Sequence, residues 1–484
     1  MKRPRWLVIY SLVTVFALVA AACGDDDDAV TTTTAAATTT TAAATTTTAA
    51  TTTTVAATTT TVAAVPGIDY DVGVTEEPCP GSPNPDNGCI YLGVISDLST
   101  GPFAAVAVPL TQAQEDFWAQ VNDAGGLDGF DVAITAETTI DAHYTAEETV
   151  AGYEQIRNSV AALAQSLGTP QSQAALPLYD EDDTVAAPAT WWSGWSFPEY
   201  DQGLILEAGS SYCFEAMNAM TFAAGAYVGE GKPFASTADI PWAIVEFPGD
   251  YGGDWTAGAK IAAAQLGFGD PVAQILQIPF SFGGTADETI AQLAQLKPFL
   301  IVISSGPLEM ATVAGGLYTA GHTTFQIIGA GPTWNVGLLG NETLVPLLEA
   351  VYFLAAPWAG WDFDSPGHQA MRDAAAANER SPNTGYVAGW VFQYNMKALL
   401  EAGIENGDLS RAGIRAAAAA LDDVDYGGML PNRSFVGDPA EHAQRATIIG
   451  GVDRDASDGI TPVTQLFTSP IAAAYDFSAP CFAP

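Results

Sequence analysis

Basic residues are scarce in this chain: 15 lysines and arginines stand against 55 aspartates and glutamates, a formal net charge of −40. The acids are spread along the length, so the folded surface should be strongly negative, which argues against nucleic acid and against an anionic membrane surface as partners. That charge does not identify a ligand, because a solvated acidic surface needs no cationic partner. Histidine is nearly as rare, at His143, His322, His368 and His442. None belongs to a His-Glu-x-x-His pair, and neither a Gly-x-Ser-x-Gly elbow nor a Gly-x-x-x-x-Gly-Lys-Ser/Thr loop occurs. Hydrolase and ATPase chemistry thereby lose their usual nucleophile, metal ligands and phosphate cradle. Residues 453–459, Asp-Arg-Asp-Ala-Ser-Asp-Gly, approach a calcium loop, but the third acid falls one residue late and no Glu follows at the required distance. A solvated turn is expected there instead. The chain is read as a non-enzyme with no cofactor and no metal site.

Cysteine is also sparse, and its placement is informative. Cys23 follows Lys2, Arg3, Arg5, an apolar run over 6–22 and the small residues Ala20, Ala21 and Ala22, which resembles a bacterial lipoprotein signal. Residues 1–22 then read as a signal peptide and Cys23 as the lipidated first residue of the mature chain. The alternative is an uncleaved membrane helix, but about 17 apolar residues is the short limit for spanning. A Thr/Ala/Val tract over 31–65 follows, too poor in large apolar residues to form a core. Residues 23–66 are therefore expected to be a lipid anchor and disordered linker, about 35 residues of which could extend to roughly 115 Å at ~3.3 Å per residue. The expected location is the outer face of the cytoplasmic membrane, touched through the lipid anchor only.

Cys79, Cys89, Cys213 and Cys481 remain, and an even number in an exported chain favours disulfides. Three pairings are possible. Cys79 and Cys89 enclose a turn-rich loop, Pro-Gly-Ser-Pro-Asn-Pro-Asp-Asn-Gly, suited to a local bridge within a lead-in over 67–89. Cys213 with Cys481 follows by elimination.

About 395 residues remain from Ile90 onward, more than one hydrophobic core usually serves, so two lobes are expected. Strand 90–96, helix 110–121, strand 131–136, helix 145–157, strand 160–167, a polar turn at 168–173, helix 174–180 and strand 184–187 alternate in order. After Gly209 the pattern restarts: helix 214–228, strand 242–246, a turn at 248–253 leading into a helix, strand 272–278, helix 288–296, strand 299–304, helix 308–320 and strand 324–328. A strand at 350–355 and helices near 368–379, 386–402 and 410–421 precede strands near Thr447 and Val463. Such alternation implies an α/β chain with doubly wound parallel sheets, which collect ligands at the carboxyl ends of their strands.

Ser99-Thr100-Gly101-Pro102-Phe103, then a helix, then Asn122-x-Ala124-Gly125-Gly126-Leu127-x-Gly129 resembles the opening of solute-binding proteins of the Leu/Ile/Val-binding family. The likeness continues through Gly168-Thr169-Pro170-Gln171-Ser172, Asp250-Tyr251-Gly252 and the stretch from Gly385-Tyr386-Val387-Ala388 to Leu399-Leu400-Glu401-Ala402-Gly403. The resemblance implies the type 1 periplasmic-binding-protein fold, two lobes joined by a three-strand hinge. It implies lobe 1 over 90–210 plus 333–445 and lobe 2 over 211–332 plus 446–484. The implied function is an extracytoplasmic receptor, a monomer, that closes on a small solute (amino acid, amide or related organic acid) and delivers it to an ABC permease with cytoplasmic ATPases. A sensing or surface-interaction lipoprotein with the same fold and no transport role is the rival reading.

Residue by residue, the resemblance places a hydroxyl anchor for a ligand carboxylate at Thr169, with Ser172 nearby, and a second at Thr190. Hydroxyls and free amides at a helix N-terminus suit a desolvated anion. From lobe 2 it implies Tyr251 and the backbone at Ser305-Gly306. Where such receptors place a carboxylate for the ligand ammonium, this chain has Gly329-Ala330-Gly331-Pro332-Thr333-Trp334-Asn335, with Thr333 but no acid. An α-amino acid would then need another acid, with Asp97 as one candidate, since an unpaired buried ammonium costs several kcal/mol. Trp191, Trp192, Trp195, Phe197, Trp334, Trp358 and Trp361 suit an apolar or planar solute, although at least half of them are expected only to fill cores or hinges. Phe103 and Trp192 are the aromatic residues expected at the ligand.

Overall fold

A run of nine residues, Gly88–Ser96 (β1), is buried at every position but one, as an apolar strand inside a parallel sheet should be. The structure, a computed structural model, describes residues 67–483. The expected signal peptide, Cys23 and the Thr/Ala tract lie outside the described residues.

From β1 the chain runs through Ala104–Asp123 (α1), Phe130–Asp141 (β2), Ala146–Ile156 (α2), Ala162–Leu167 (β3), Thr169–Glu181 (α3) and Ala186–Ala189 (β4). The strands pair in parallel in the order β2-β1-β3-β4, and residues 204–206 add a further parallel edge beside Ala186. Two expected turns belong to helices. Residues 168–173 contain the start of α3, and 248–253 contain the start of Asp250–Leu266, because a helix's first turn favours the small and polar residues that turns favour. At Gly168 the backbone takes φ +89°, and a Cβ would lie 2.1 Å from the Gln171 amide oxygen and 2.7 Å from the Tyr144 ring. Glycine is therefore required there on two counts.

The second sheet is reached through Tyr212–Tyr227 (α4). It contains Trp242–Glu246 (β5), Ala273–Leu276 (β6), Leu300–Ile303 (β7), Gln326–Gly329 (β8), Tyr352–Ala356 (β9), Ile448–Val452 (β10) and Ile460–Pro462 (β11), in the order β11-β10-β9-β8-β7-β5-β6. The helices Asp250–Leu266 (α5), Asp287–Leu296 (α6), Pro307–Thr319 (α7) and Val345–Val351 (α8) connect its strands. Pairing is parallel from β6 to β9 and antiparallel at β10 and β11.

This order corrects the expected assignment of residues 333 onward to lobe 1. Ile327, Ile328 and Gly329 of β8 pair with Tyr352, Phe353 and Leu354, so the chain stays with the second sheet through β9 and crosses only after Ala356. It then supplies Pro366–Ala377 (α9), Thr384–Asn406 (α10) and Arg411–Ala418 (α11), and α10 lies against α1. The three crossings run side by side: Gly209 N–H donates to Gln444 Oε1 at 2.6 Å, Ser210 Oγ donates to Ala446 O at 2.9 Å, and Pro357 packs on Gly209. Glu207 and Arg433 meet there at 3.6 Å, both buried.

The two expected disulfides, Cys79–Cys89 and Cys213–Cys481, are formed. The second ties the C-terminal tail to the start of α4. At the other end of the described chain, Asp69–Tyr70 pairs in parallel with Asp408–Leu409, just past the end of α10.

Candidate functional site

A cavity of about 30 Å³ lies between the lobes at the carboxyl ends of β3 and β4. On the first lobe its wall includes Phe103, Leu110, Tyr144 and Thr190, and on the second Tyr212, Tyr251 and Pro332. Asp97 positions Phe103 by accepting the Gly101 and Phe103 N–H groups, each at 2.8 Å. Both carboxylate oxygens are thus engaged by backbone, and Asp97 does not lie on the cavity wall, which removes it as the partner for a ligand ammonium. Burial raises its pKa, and the two N–H donors pull the other way.

Phe103 touches both lobes. Its ring lies 4.9 Å from Tyr144, 5.3 Å from Phe247 and 6.0 Å from Tyr251. Tyr251 is fixed by Ser305, whose N–H donates to the tyrosine oxygen at 3.2 Å while the hydroxyl donates to Ser305 O at 3.3 Å. Tyr212 lies 4.5 Å from Tyr251 and 5.8 Å from Trp191. Burial holds the Tyr212 and Tyr251 phenols well above their ordinary pKa, so both stay neutral hydrogen-bonding groups.

Phe103, Thr190 and Tyr251 stand on the cavity wall, while the other expected site residues stand behind it. Thr169 Oγ1 pairs with Thr190 Oγ1 at 2.5 Å and thereby orients the hydroxyl that is exposed to the cavity. Ser172 turns inward to Ser166 at 2.7 Å. Thr333 is held by Ala330 O and the Tyr352 hydroxyl, each at 2.6 Å. Gly306 precedes α7 where the lobes meet; a Cβ there would lie 3.0 Å from Pro102 O. Trp192 points away from the cavity: its indole N–H donates to Phe482 O at 2.8 Å, and its ring packs on Trp195 and Tyr200. Its neighbour Trp191 lines the cavity instead, because side chains alternate in extended backbone.

Tyr144 was not singled out by sequence. It follows His143 in a loop where both residues take positive φ, +47° and +59°, a costly conformation for such side chains. Gln171 holds the loop by donating to Tyr144 O at 2.8 Å. The available signal was position, since Tyr144 falls just past the carboxyl end of β2. Tyr212, at the start of the helix after the first crossing, had no comparable signal.

Behind the lobe 2 wall, buried Glu215 accepts the Gly331 N–H through Oε2 at 3.1 Å, one residue before Pro332. Its Oε1 has no partner among the described residues. Burial pushes its pKa well up, as do Glu207 and Asp254, against the pull of Gly331.

Two sheets joined by three crossings over a shared cleft define a two-lobed solute-binding receptor, and residues 90–458 match the periplasmic binding protein family, to which this chain belongs. It is similar to the fatty acid ABC transporter substrate-binding protein from Thermomonospora curvata, at 26% identity over 84% of this chain and 97% of that one, with a TM-score of 0.72. A branched chain amino acid ABC transporter protein from Thermus thermophilus with bound valine matches at 16% identity, covering 80% and 98% with a TM-score of 0.66. A solute binding protein of an ABC transporter from Rhodopseudomonas palustris BisB5, in complex with 3,4-dihydroxy benzoic acid, matches at 16%, covering 78% and 96% with a TM-score of 0.60. No curated protein matches the chain.

Proposed function

We propose that this chain is the extracytoplasmic receptor of an ABC importer that captures a small, largely apolar solute between its lobes and hands it to a permease. The observation that carries the reading is the cavity wall: aromatic and aliphatic side chains, hydroxyls at Thr190, Tyr144, Tyr212 and Tyr251, and no charged side chain. A free α-amino acid brings two charges into the cleft and needs a counter-charge for each. An apolar body with one polar end brings at most one charge and no ammonium, and burying its apolar part is favourable by ~25 cal/mol per Å². The fatty acid named for the Thermomonospora relative has such a body.

The motif order still favours kinship with Leu/Ile/Val-binding receptors, with the specificity changed at the wall. Thr190, supported by Thr169, Tyr251 and the Phe103 ring are the ligand contacts in this reading. Anchoring through Cys23 is part of the same proposal, and replacing Cys23 by Ser should release the chain from the membrane fraction.

The test is a thermal-shift panel on the full chain with decanoic acid, 4-methylpentanoic acid, 3,4-dihydroxybenzoic acid, valine and leucine. A solute at 100 times its Kd adds about 2.7 kcal/mol. At least one of the acids without an amino group should raise Tm and the two amino acids should not. A larger shift with leucine than with 4-methylpentanoic acid, which differs by the missing amino group, would overturn the reading.

A further inference from the structure

A proline inside a helix has no N–H to give, so the carbonyl four residues earlier loses the donor that would have closed its turn. In α1 that proline is Pro109, and the carbonyl is Ala105 O, one residue before the wall residue Val106. Ala105 O accepts instead from the other lobe: Asn335 Nδ2 donates to it at 2.6 Å.

Both ends of this bond are fixed within their own lobes. Ala105 sits in the first turn of α1, where the Val106 and Ala107 N–H groups each donate to Phe103 O at 2.8 Å, and the helix lies against α10 at Gly385 and Gly389. Asn335 follows Trp334, whose indole N–H donates to Asp458 O at 3.0 Å and whose ring stacks on Tyr352 of β9. The Asn335 amide is divided between two tasks. Its Oδ1 accepts the Gly337 N–H at 2.8 Å and starts the short 3₁₀ turn Val336–Gly340, which aims Nδ2 at the first lobe. A cap needs only an oxygen, and aspartate or serine would supply one. What the amide adds is a donor, and Ala105 O is what it serves. When the lobes part, donor and carbonyl each turn to water, and the bond returns only when the lobes meet. Asn335 itself is not on the cavity wall.

We propose that Asn335 is a positioning residue for solute capture: by donating across the cleft to the carbonyl that Pro109 leaves free, it holds the two lobes together around a solute it does not touch. The inference rests on capture between lobes, as in the proposed function, and not on the class of solute. Apparent affinity scales with the fraction of the chain in the binding-competent arrangement, so a bond made only in that arrangement appears in Kd.

The experiment compares Asn335→Asp and Asn335→Ser in the full chain. Both keep an oxygen for the Gly337 N–H. Asp sets a carboxylate oxygen against Ala105 O, and Ser is too short to reach it. Kd and the dissociation rate are measured for whichever of the five panel compounds raises Tm most. Asn335→Ser should weaken binding about fivefold, as expected for one net hydrogen bond, and Asn335→Asp at least tenfold, chiefly through faster dissociation. The Tm without solute should not fall in either variant, because the cap is kept. Pro109→Ala gives Ala105 O a donor from its own helix, so in that background the loss on Asn335→Ser should shrink to about twofold.

Unaltered binding by Asn335→Asp would overturn the proposal while leaving the functional reading intact. Weaker binding joined to a lower Tm in both variants would overturn it in favour of a merely structural cap. A loss on Asn335→Ser that is undiminished beside Pro109→Ala would overturn the part assigned to the free carbonyl. If none of the five compounds raises Tm, the functional reading falls, and Asn335 is judged by small-angle scattering: Asn335→Asp must show a larger radius of gyration than the unaltered chain, and equal radii would overturn the positioning role.

Discussion

On the first lobe the cavity wall sets Val106, Ala107 and Leu110 of α1 beside Phe103, Tyr144 and Thr190, whereas on the second it is Tyr212, Tyr251 and Pro332. The two lobes share an architecture of parallel strands and connecting helices and differ in what they offer a ligand. The α1 part of the first wall is shape: small and branched side chains on a helix set how wide a solute can be. The phenolic side is polarity, and behind it stand Glu215 and Asp254 rather than cations. The first lobe thus contributes most of the apolar area together with the Tyr144 and Thr190 hydroxyls, and the second contributes two phenols.

Several substitutions would break or sharpen that contrast. The largest effect is expected at the disulfides. In the chain-entropy model, closing 268 residues between Cys213 and Cys481 is worth up to about 5 kcal/mol and closing 10 between Cys79 and Cys89 about 3 kcal/mol. Denaturant unfolding of the paired Cys→Ser variants should rank them in that order, and a larger loss at the lead-in would reverse it. Arg433→Met comes next. It strands buried Glu207, and breaking a buried pair in this way costs about 3–5 kcal/mol. The partly exposed first-lobe pair of Arg157 with Asp182 at 2.6 Å, with side chains 22% and 16% exposed, should cost less by the same measurement, because solvent still reaches both partners.

Smaller effects are expected at the wall. Thr190→Val and Tyr251→Phe each remove one hydroxyl and should weaken solute binding by about fivefold, the equivalent of the ~1 kcal/mol of a net hydrogen bond. Leu110→Val should leave the choice of polar end unchanged and alter only the preferred chain width. A shift in the ratio of acid to amine binding on Leu110→Val would show that α1 does more than set the width.

The subtlest difference lies in pH dependence. Burial raises Asp254 to about 7, although Ser193 and Cys213 N–H groups donate to it. The unfolded chain ionises near pH 4, so the stability this protonated group carries is present below that pH and is lost as pH rises toward 7. Asp182 behaves oppositely: burial raises it, but Arg157 and Tyr153 outweigh burial and lower it, so its contribution is lost as pH falls. Melting curves between pH 4 and 8 should flatten for Asp254→Asn. For Asp182→Asn the loss should be even from pH 8 down to about 5 and should shrink only as pH falls through about 4 and below.

Much of this arrangement was legible in the residues. Short buried strands such as Trp242–Glu246 announce themselves through continuous apolar runs, and the end of α1 through Gly125-Gly126. Partners across a sheet were not legible: the run at Tyr352–Ala356 reads as a strand in any context, and only pairing with Ile327 and Ile328 shows which lobe owns it. Within the site, Phe103, Thr190 and Tyr251 could be found because motif order fixes their turns. Trp191 and Trp192 could not be told apart, because one residue of offset in extended backbone exchanges inside for outside. Glu215 was hidden for a different reason. It reaches the Gly331 turn from a helix more than a hundred residues earlier, and no local spacing reports such a meeting.

The pairing of Asp69–Tyr70 with Asp408–Leu409 has a mechanical consequence. It sits at the C-terminal end of α10, whose 23 residues span about 34 Å at 1.5 Å per residue, while the opposite end of that helix packs beside Val106 at the cleft. A pull on the chain from before Gly67 is therefore borne by the far pole of the first lobe and shared with β1 through Val74–Thr75 and the Cys79–Cys89 bridge. None of that load passes through the three crossings, so tension on the N-terminal chain and the hinge between the lobes are mechanically separate.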